Sequence, residues 1–275
     1  ISTHFFDFKY PDLVIKKILR SSISDLICKG VKPKFYFISG SGNKKTFTKN
    51  NLYKITKSLK SEQNKFNIVL CGGDTTFSNK LSFTITSMGY SNKIIYRNKA
   101  KSNDDIYVTG NLGDSYLGFK LLSNKVNIKK KDKLFFINKY YKPDLPLNLT
   151  KYLLKFANSS IDVSDGLIDD LSKMINKQNL SFHLFENKIP VSKNLSDLIK
   201  NQSLNKINLI SNGDDYQILF TANEKKARII QNASKATGIK ITKIGKIITG
   251  KYRSKIFDEK GKQIQAKSKG YIHQF

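Results

Sequence analysis

From Pro11 onward the apolar residues Ile15, Ile18, Leu19, Ile23 and Leu26 recur every three or four positions, the spacing of one helix face. Gly30 stands just past them, where such a helix ends. Ser22 and Asp25 continue that inward face, so the Asp25 carboxylate needs a cation or a hydrogen-bonding partner. Upstream, Thr3 to Phe6 read as the end of a strand. Lys34 to Ser39 form a buried strand, Gly40-Ser41-Gly42 a loop, and Leu52, Ile55 and Leu59 mark a second helix. The apolar run Asn67–Leu70 is a strand expected to close in a turn at Cys71-Gly72-Gly73-Asp74-Thr75-Thr76, and Leu81, Phe83 and Ile85 alternate as a half-buried strand. This order predicts an α/β or α+β domain over residues 1–92. The polar, basic stretch Ser91–Asp105 reads as a connection to a second domain over residues 93–275. There, strands at Ile106–Thr109, Ser159–Val163, Leu180–Leu184, Gln217–Phe220 and Ile239–Ile248 alternate with helices after Asp114, Pro146, Asp165 and Glu224.

Within this pattern, acids recur beside glycine or serine at strand ends. Gly73 and Asp74 are followed by two threonines, Asp162 and Asp165 flank Ser164 just before a helix, and Asp214 follows Gly213. Glycines let backbone approach a ligand closely, and peptide N–H groups with carboxylates suit phosphate and a hard cation together. Each position also has a plain structural reading: an Asx turn at Asp74, a helix cap at Asp165, a surface site for Arg97. Oxygen-only donors favour magnesium over zinc. No serine-hydrolase elbow, Cys–His pair, zinc cluster, Walker A loop or protein-kinase motif set is present. The expected chemistry is therefore magnesium with nucleotide phosphates on another kind of scaffold.

The formal net charge of +28 points at first to a polyanion. Of the 49 basic residues, however, only Arg20, Arg97, Arg228 and Arg253 are arginines, and the lysines are spread thinly along the chain. Nucleic-acid sites lean on the arginine fork, so a dedicated nucleic-acid partner is not expected. The densest cluster, Lys129–Lys131 with Lys133, reads as a solvated loop. Cys28 and Cys71 read as reduced core thiols of a cytoplasmic protein. No apolar run is long enough to span a bilayer.

The motifs in succession resemble a known family. Ser24-Asp25-Leu26, Gly72-Gly73-Asp74-Thr75-Thr76, Val108-Thr109-Gly110 with Leu112-Gly113-Asp114, Ile161-Asp162-Val163-Ser164-Asp165-Gly166-Leu167, and Gly213-Asp214-Asp215-Tyr216 with Leu219-Phe220-Thr221 stand in the order and spacing of thiamine-monophosphate kinase. That family belongs to the superfamily of aminoimidazole-ribonucleotide synthetase. The resemblance implies a two-domain fold whose N-terminal sheet dimerises, with the site between the domains. It implies ATP- and Mg2+-dependent phosphorylation of thiamine monophosphate by direct in-line transfer. By position it matches Asp25, Asp74, Asp162 and Asp165 to magnesium ligands, and Gly73, Asp74, Arg97 and Ser164 to ATP contacts. It matches His4, Asp214 and Tyr271 to the thiamine-phosphate side, and it makes Asp74, Asp162, Asp165 and Arg97 the catalytic set. Ser22 stands for the family's usual asparagine, Asp214 for glutamate, and Phe77 for a common arginine. The family's aspartate-rich G-D-D loop, placed upstream of Ile1, is not among the 275 residues, and without it little kinase activity is expected. The other readings are a different ATP-dependent synthetase of the superfamily, a silent thiamine-binding relative, or a basic nucleic-acid-binding protein.

Overall fold

The computed structural model describes residues 5–202, 204–266, 268 and 270. His4 and Tyr271 thus lie outside the described residues, as do Ile1 to Thr3. In chain order the elements are α1 (Pro11–Cys28), β1 (Pro33–Gly42), α2 (Lys49–Phe66), β2 (Val69–Phe77), β3 (Ser82–Gly89), β4 (Asp105–Thr109), α3 (Asp114–Leu122), α4 (Lys130–Tyr141) and α5 (Thr150–Leu153). There follow β5 (Ser159–Asp162), α6 (Leu167–Met174), β6 (Leu180–Phe185), α7 (Lys193–Gln202), α8 (Lys206–Ile210), β7 (Ile218–Ala222), α9 (Ala227–Thr237), β8 (Ile241–Thr249), β9 (Lys255–Phe257) and β10 (Gln263–Ile264).

Two sheets result. The smaller runs β2-β1-β3, with β1 parallel to β2 and antiparallel to β3. The larger runs β10-β9-β6-β8-β4-β7-β5 and is antiparallel except where β6 meets β9. Helix α1 lies between them, packing on α2 and β3 at one side and on β5 and β7 at the other. Its stripe Ile15, Leu19, Ile23 and Ile27 is at most 1% exposed and shares one core with Tyr36 of β1 and Phe220 of β7. Burying each such side chain is worth about 1.5–3 kcal/mol, so this four-residue stripe sets which way the helix faces. Ser24, buried, is thereby carried to the edge of the larger sheet; Asp25 beside it is exposed and Ser22 only half-buried, so these two do not continue the inward face as expected.

Several expectations are corrected. Cys71 to Thr76 is not a turn: β2 continues to Phe77, with Gly73, Asp74, Thr75 and Thr76 opposite Ile38, Ser39, Gly40 and Ser41 of β1. The register slips between Tyr36 and Phe37, which leaves Cys71 as the extra residue of a bulge. A Cβ on Gly73 would lie 1.8 Å from the Ile38 carbonyl oxygen, so this glycine serves close strand approach. Gly40-Ser41-Gly42 likewise belongs to β1. Phe5 and Phe6 are not in a strand; Phe5 instead packs with Val14, Leu81, Tyr140 and Tyr141. Lys130, Lys131 and Lys133 are not in a loop but in the opening turns of α4, whose Phe136, Tyr140 and Tyr141 are buried. Cys28 is a core thiol; Cys71 is exposed. Among the described residues no helix is long and apolar enough to cross a membrane.

Candidate functional site

Three distant segments meet in a cleft of about 460 Å³: the end of α1, the stretch Ile94–Asn98, and the β5–α6 loop with the first turns of α6. Asp25, Arg97, Asp162, Ser164 and Asp165 all line it, together with Lys29, Asp170 and Lys173. Ser24 joins α1 to β5 by donating its hydroxyl to Asp162 Oδ2 at 2.5 Å. The Arg97 turn is pinned alongside, because Ser159 Oγ donates to the Arg97 carbonyl at 2.6 Å.

Burial is the main influence on Asp162, Asp25 and Asp170. It pushes the Asp162 carboxyl up to about 6, with the nearby Asp25 charge adding to the rise and the Ser24 hydrogen bond opposing it. Asp25 is raised by the same desolvation, with Lys29 and Arg97 pulling it back. Asp170 is pushed to about 7 by burial against the attraction of Lys173. Lys173 is itself partly desolvated, yet contacts with Asp165, Asp169 and Asp170 carry its ammonium above the ordinary range. It is hydrogen-bonded to Asp165 and lies 2.7 Å from Asp169 Oδ2 and 3.6 Å from Asp170 Oδ1.

The loop after β5 is held by its backbone. Val163 N–H donates to the Gln217 carbonyl at 2.8 Å, and the Val163 and Ser164 carbonyls accept from Tyr216 and Asp214 N–H at 2.9 Å each. The facing segment carries left-handed residues at Gly213, Asp214 and Tyr216, with φ of 72°, 63° and 51°. For an aspartate and a tyrosine that is an uncommon backbone state, found where surroundings over-determine it. Those surroundings include Lys17, 1% exposed, whose Nζ lies 2.9 Å from Asp214 Oδ1 and 3.8 Å from the Tyr140 ring centroid. Tyr216 Oη donates to the same Asp214 oxygen at 2.9 Å. Asp215, next along, turns inward and caps α3, accepting from Gly113 N–H at 2.7 Å and Ser115 N–H at 3.3 Å.

The structure thus brings together five of the residues singled out from the sequence: Asp25, Arg97, Asp162, Ser164 and Asp165. Asp214 is tied to the same loop through Ser164. Gly73 and Asp74 are not among the residues lining this cleft; they stand on β2, with Asp74 exposed and its Oδ1 accepting from Thr75 N–H at 2.7 Å. The donors offered to the cleft are carboxylates and a hydroxyl, with no sulfur or imidazole, which fits magnesium. Asp165, Asp169 and Asp170 also present oxygens within 4.8 Å of one another. Sequence reading missed Lys17, Asp170 and Lys173, and quoted Ser24 only within its motif, without a role. Only the Asp169/Lys173 pair, four apart on a helix, left a local sign.

The model of the AIR synthase related protein N-terminal domain matches residues 2–91. The thiamine-monophosphate kinase of Buchnera aphidicola subsp. Acyrthosiphon pisum is 34% identical over 277 residues, spanning 98% of this chain and 83% of that protein. That of Caulobacter vibrioides is 29% identical over 283 residues, spanning 98% and 77%. Among solved structures, thiamine monophosphate kinase from Aquifex aeolicus superposes with a TM-score of 0.82 at 24% identity, covering 96% of this chain and 86% of its own. AaThiL complexed with AMPPCP and TMP superposes at 0.84, again at 24% identity, covering 99% and 84%. The structural likeness establishes the fold, and the sequence likeness over almost the whole chain establishes the family. The chain belongs to the thiamine-monophosphate kinase family.

Proposed function

We propose that this protein transfers the terminal phosphoryl group of ATP to thiamine monophosphate, forming thiamine diphosphate and ADP by direct in-line displacement. The observation that carries this reading is the convergence of Asp25, Arg97, Asp162, Ser164 and Asp165 from three separate segments on one cleft. The relatives named as thiamine-monophosphate kinases support it, as does the superposition on AaThiL complexed with AMPPCP, an ATP analogue, and TMP.

Phosphoryl transfer asks a protein to align two phosphates and to neutralise charge rather than to supply a nucleophile of its own. The accepting phosphate of thiamine monophosphate is largely dianionic at neutral pH, with a second pKa near 6, so no general base is required. Asp25, Asp162 and Asp165 would hold Mg2+ in the cleft, and Asp74, on β2 outside the cleft lining, would serve as a ligand from the small sheet; Mg2+ when bound neutralises nucleotide phosphate oxygens. Arg97 offers a planar fork of donors to the triphosphate, and Lys29 a further cation at the rim. Ser164 presents its hydroxyl beside them. Asp214, whose Oδ1 lies 2.9 Å from Lys17 Nζ, offers acceptor oxygens that suit the pyrimidine amine of the acceptor. His4 and Tyr271 complete the thiamine side in this reading.

We further infer that residues 1–92 and 93–275 act as two units, that the protein is cytoplasmic, and that it pairs as a homodimer through the small sheet. Phe37, Val69, Phe77 and Met88 of that sheet are 41%, 52%, 78% and 38% exposed, large apolar side chains that a partner sheet would cover. The test is formation of thiamine diphosphate from thiamine monophosphate, ATP and Mg2+, followed by chromatography beside a panel of other phosphate acceptors. Asp162→Ala and Asp74→Ala should each lower turnover at least ~100-fold, as loss of a transition-state charge stabiliser does. Unchanged turnover in both rejects the metal assignment, and preference for another acceptor rejects the substrate.

A further inference from the structure

We propose that Asp170 is the positioning residue of the β5–α6 loop: its carboxylate fills the peptide nest at the start of α6 from behind and so mounts Ser164 and Asp165 toward the cleft. This rests on the reading above that the loop's side chains hold cations. Asp170 is 1% exposed. Its Oδ2 accepts hydrogen bonds from the successive N–H groups of Ser164, Asp165 and Gly166, at 2.9, 2.9 and 3.0 Å. Consecutive peptide N–H groups pointing at one place, at a helix N-terminus, form an anion site, and a phosphate oxygen is the ordinary guest. Here the guest comes from the helix itself, one turn further on.

Two consequences follow. The nest is closed to nucleotide phosphates, so the loop offers the cleft its side-chain oxygens and attracts cations instead. The loop backbone also has no slack. Val163 N–H and the Val163 and Ser164 carbonyls are spent on Gln217, Tyr216 and Asp214, and the Gly166 carbonyl takes Asp170 N–H at 3.0 Å. A Cβ on Gly213 would stand 2.0 Å from the Ser164 carbonyl oxygen, which shows how closely the facing segment presses. The second Asp170 oxygen is buried without a hydrogen bond and faces Lys173 at 3.6 Å, the ammonium that also holds Asp165. Asp170 therefore fixes the Asp165 main chain directly, while Lys173 holds the Asp165 side chain.

The test compares Asp170→Ala, which removes the acceptor, with Asp170→Asn, which keeps an acceptor oxygen and drops the charge. Two readouts are taken on the whole protein: hydrogen exchange of the amides of 164–166, and Mn2+ binding in the presence of AMPPCP by electron paramagnetic resonance. Asp170→Ala should exchange these amides at least ~10-fold faster and bind Mn2+ ~10–100-fold more weakly, the range for loss of a group that orients metal ligands. Asp170→Asn should stay within ~3-fold of the parent in both, since the hydrogen-bond acceptor survives. Retained amide protection in Asp170→Ala overturns the proposal. So does an Asp170→Asn variant that binds Mn2+ as weakly as Asp170→Ala, because Asp170 would then act by its charge. Should Asp170→Ala fail to fold, Asp170→Asn decides alone: parent-like exchange and Mn2+ binding support the mount, and loss of either overturns it. A parent that binds Mn2+ and AMPPCP but leaves thiamine monophosphate untouched removes the substrate reading, while the exchange data still judge Asp170.

Discussion

Arg20 and Glu62 join α1 to α2 through a forked ion pair, with Nε 2.7 Å from Oε2 and Nη2 2.9 Å from Oε1. Both are buried, 4% and 1% exposed, and Arg20 Nη1 also donates to the Pro143 carbonyl at 3.0 Å. Replacing Arg20 by Met fills the volume but strands the Glu62 carboxylate one turn below the Ser24–Asp25 step. Breaking a buried pair from one side costs about 3–5 kcal/mol, because the remaining charge stays desolvated. Lys16, 3.9 Å from Glu62 Oε1 and partly exposed, offsets some of this, which places Arg20→Met near ~3 kcal/mol. For a chain of this length that lowers Tm by about 5 °C. The double variant Arg20→Met/Glu62→Met removes both charges and should return to within ~1 kcal/mol of the parent, a coupling of roughly 2 kcal/mol or more. Urea unfolding followed by far-UV circular dichroism measures all four corners of the cycle. If the two single variants simply add in the double, the pair is not coupled and the reasoning fails.

Three further outcomes follow from the geometry. Gly73→Ala must push β2 from β1, since the added methyl would meet the Ile38 carbonyl at 1.8 Å; a loss of about 1–3 kcal/mol is expected, and a melt unchanged within 1 °C contradicts it. Lys17→Met removes the buried partner of Asp214 and should raise KM for thiamine monophosphate ~10-fold while leaving KM for ATP unchanged; equal effects on both substrates would assign Lys17 to stability alone. Asp215 is pushed to about 8 by burial, so between pH ~4 and ~8 the folded state keeps a proton that the unfolded chain has released. Stability should therefore fall as pH rises through that window, and Asp215→Asn, which does not titrate, should flatten the slope of Tm against pH; an equally steep slope in the variant would show that other groups cause it.

The helical stripe of α1, the alternation in β3 and the glycine stops at Gly30 and Gly238 were legible because each is a local pattern with its own period or backbone requirement. The family was legible too, through acids beside glycine or serine in a set order. Read locally, the glycines of β2 resembled a turn, because double glycine permits both a turn and an unusually close strand pair. Only the pairing with β1 shows which of these the chain uses. The lysine cluster resembled a solvated loop because its helix gains its stability from Phe136, Tyr140 and Tyr141 further along.

Three partnerships that no local pattern announced share one property. Lys17 pairs with Asp214, Ser24 with Asp162, and Arg20 with Glu62, across separations of 197, 138 and 42 positions. By itself the chain determined which residue types were present, where most of its strands and many of its helices lie (not α4, α7 or α8), and which acids stand beside turns able to expose them. The tertiary structure decided which of those acids share a cleft, which carboxylate is spent on holding a loop, and which lysine sits as a buried counter-charge. Local periodicity is written into neighbouring side chains, whereas the partner of a buried charge is set by the packing of segments that meet only after the chain has folded.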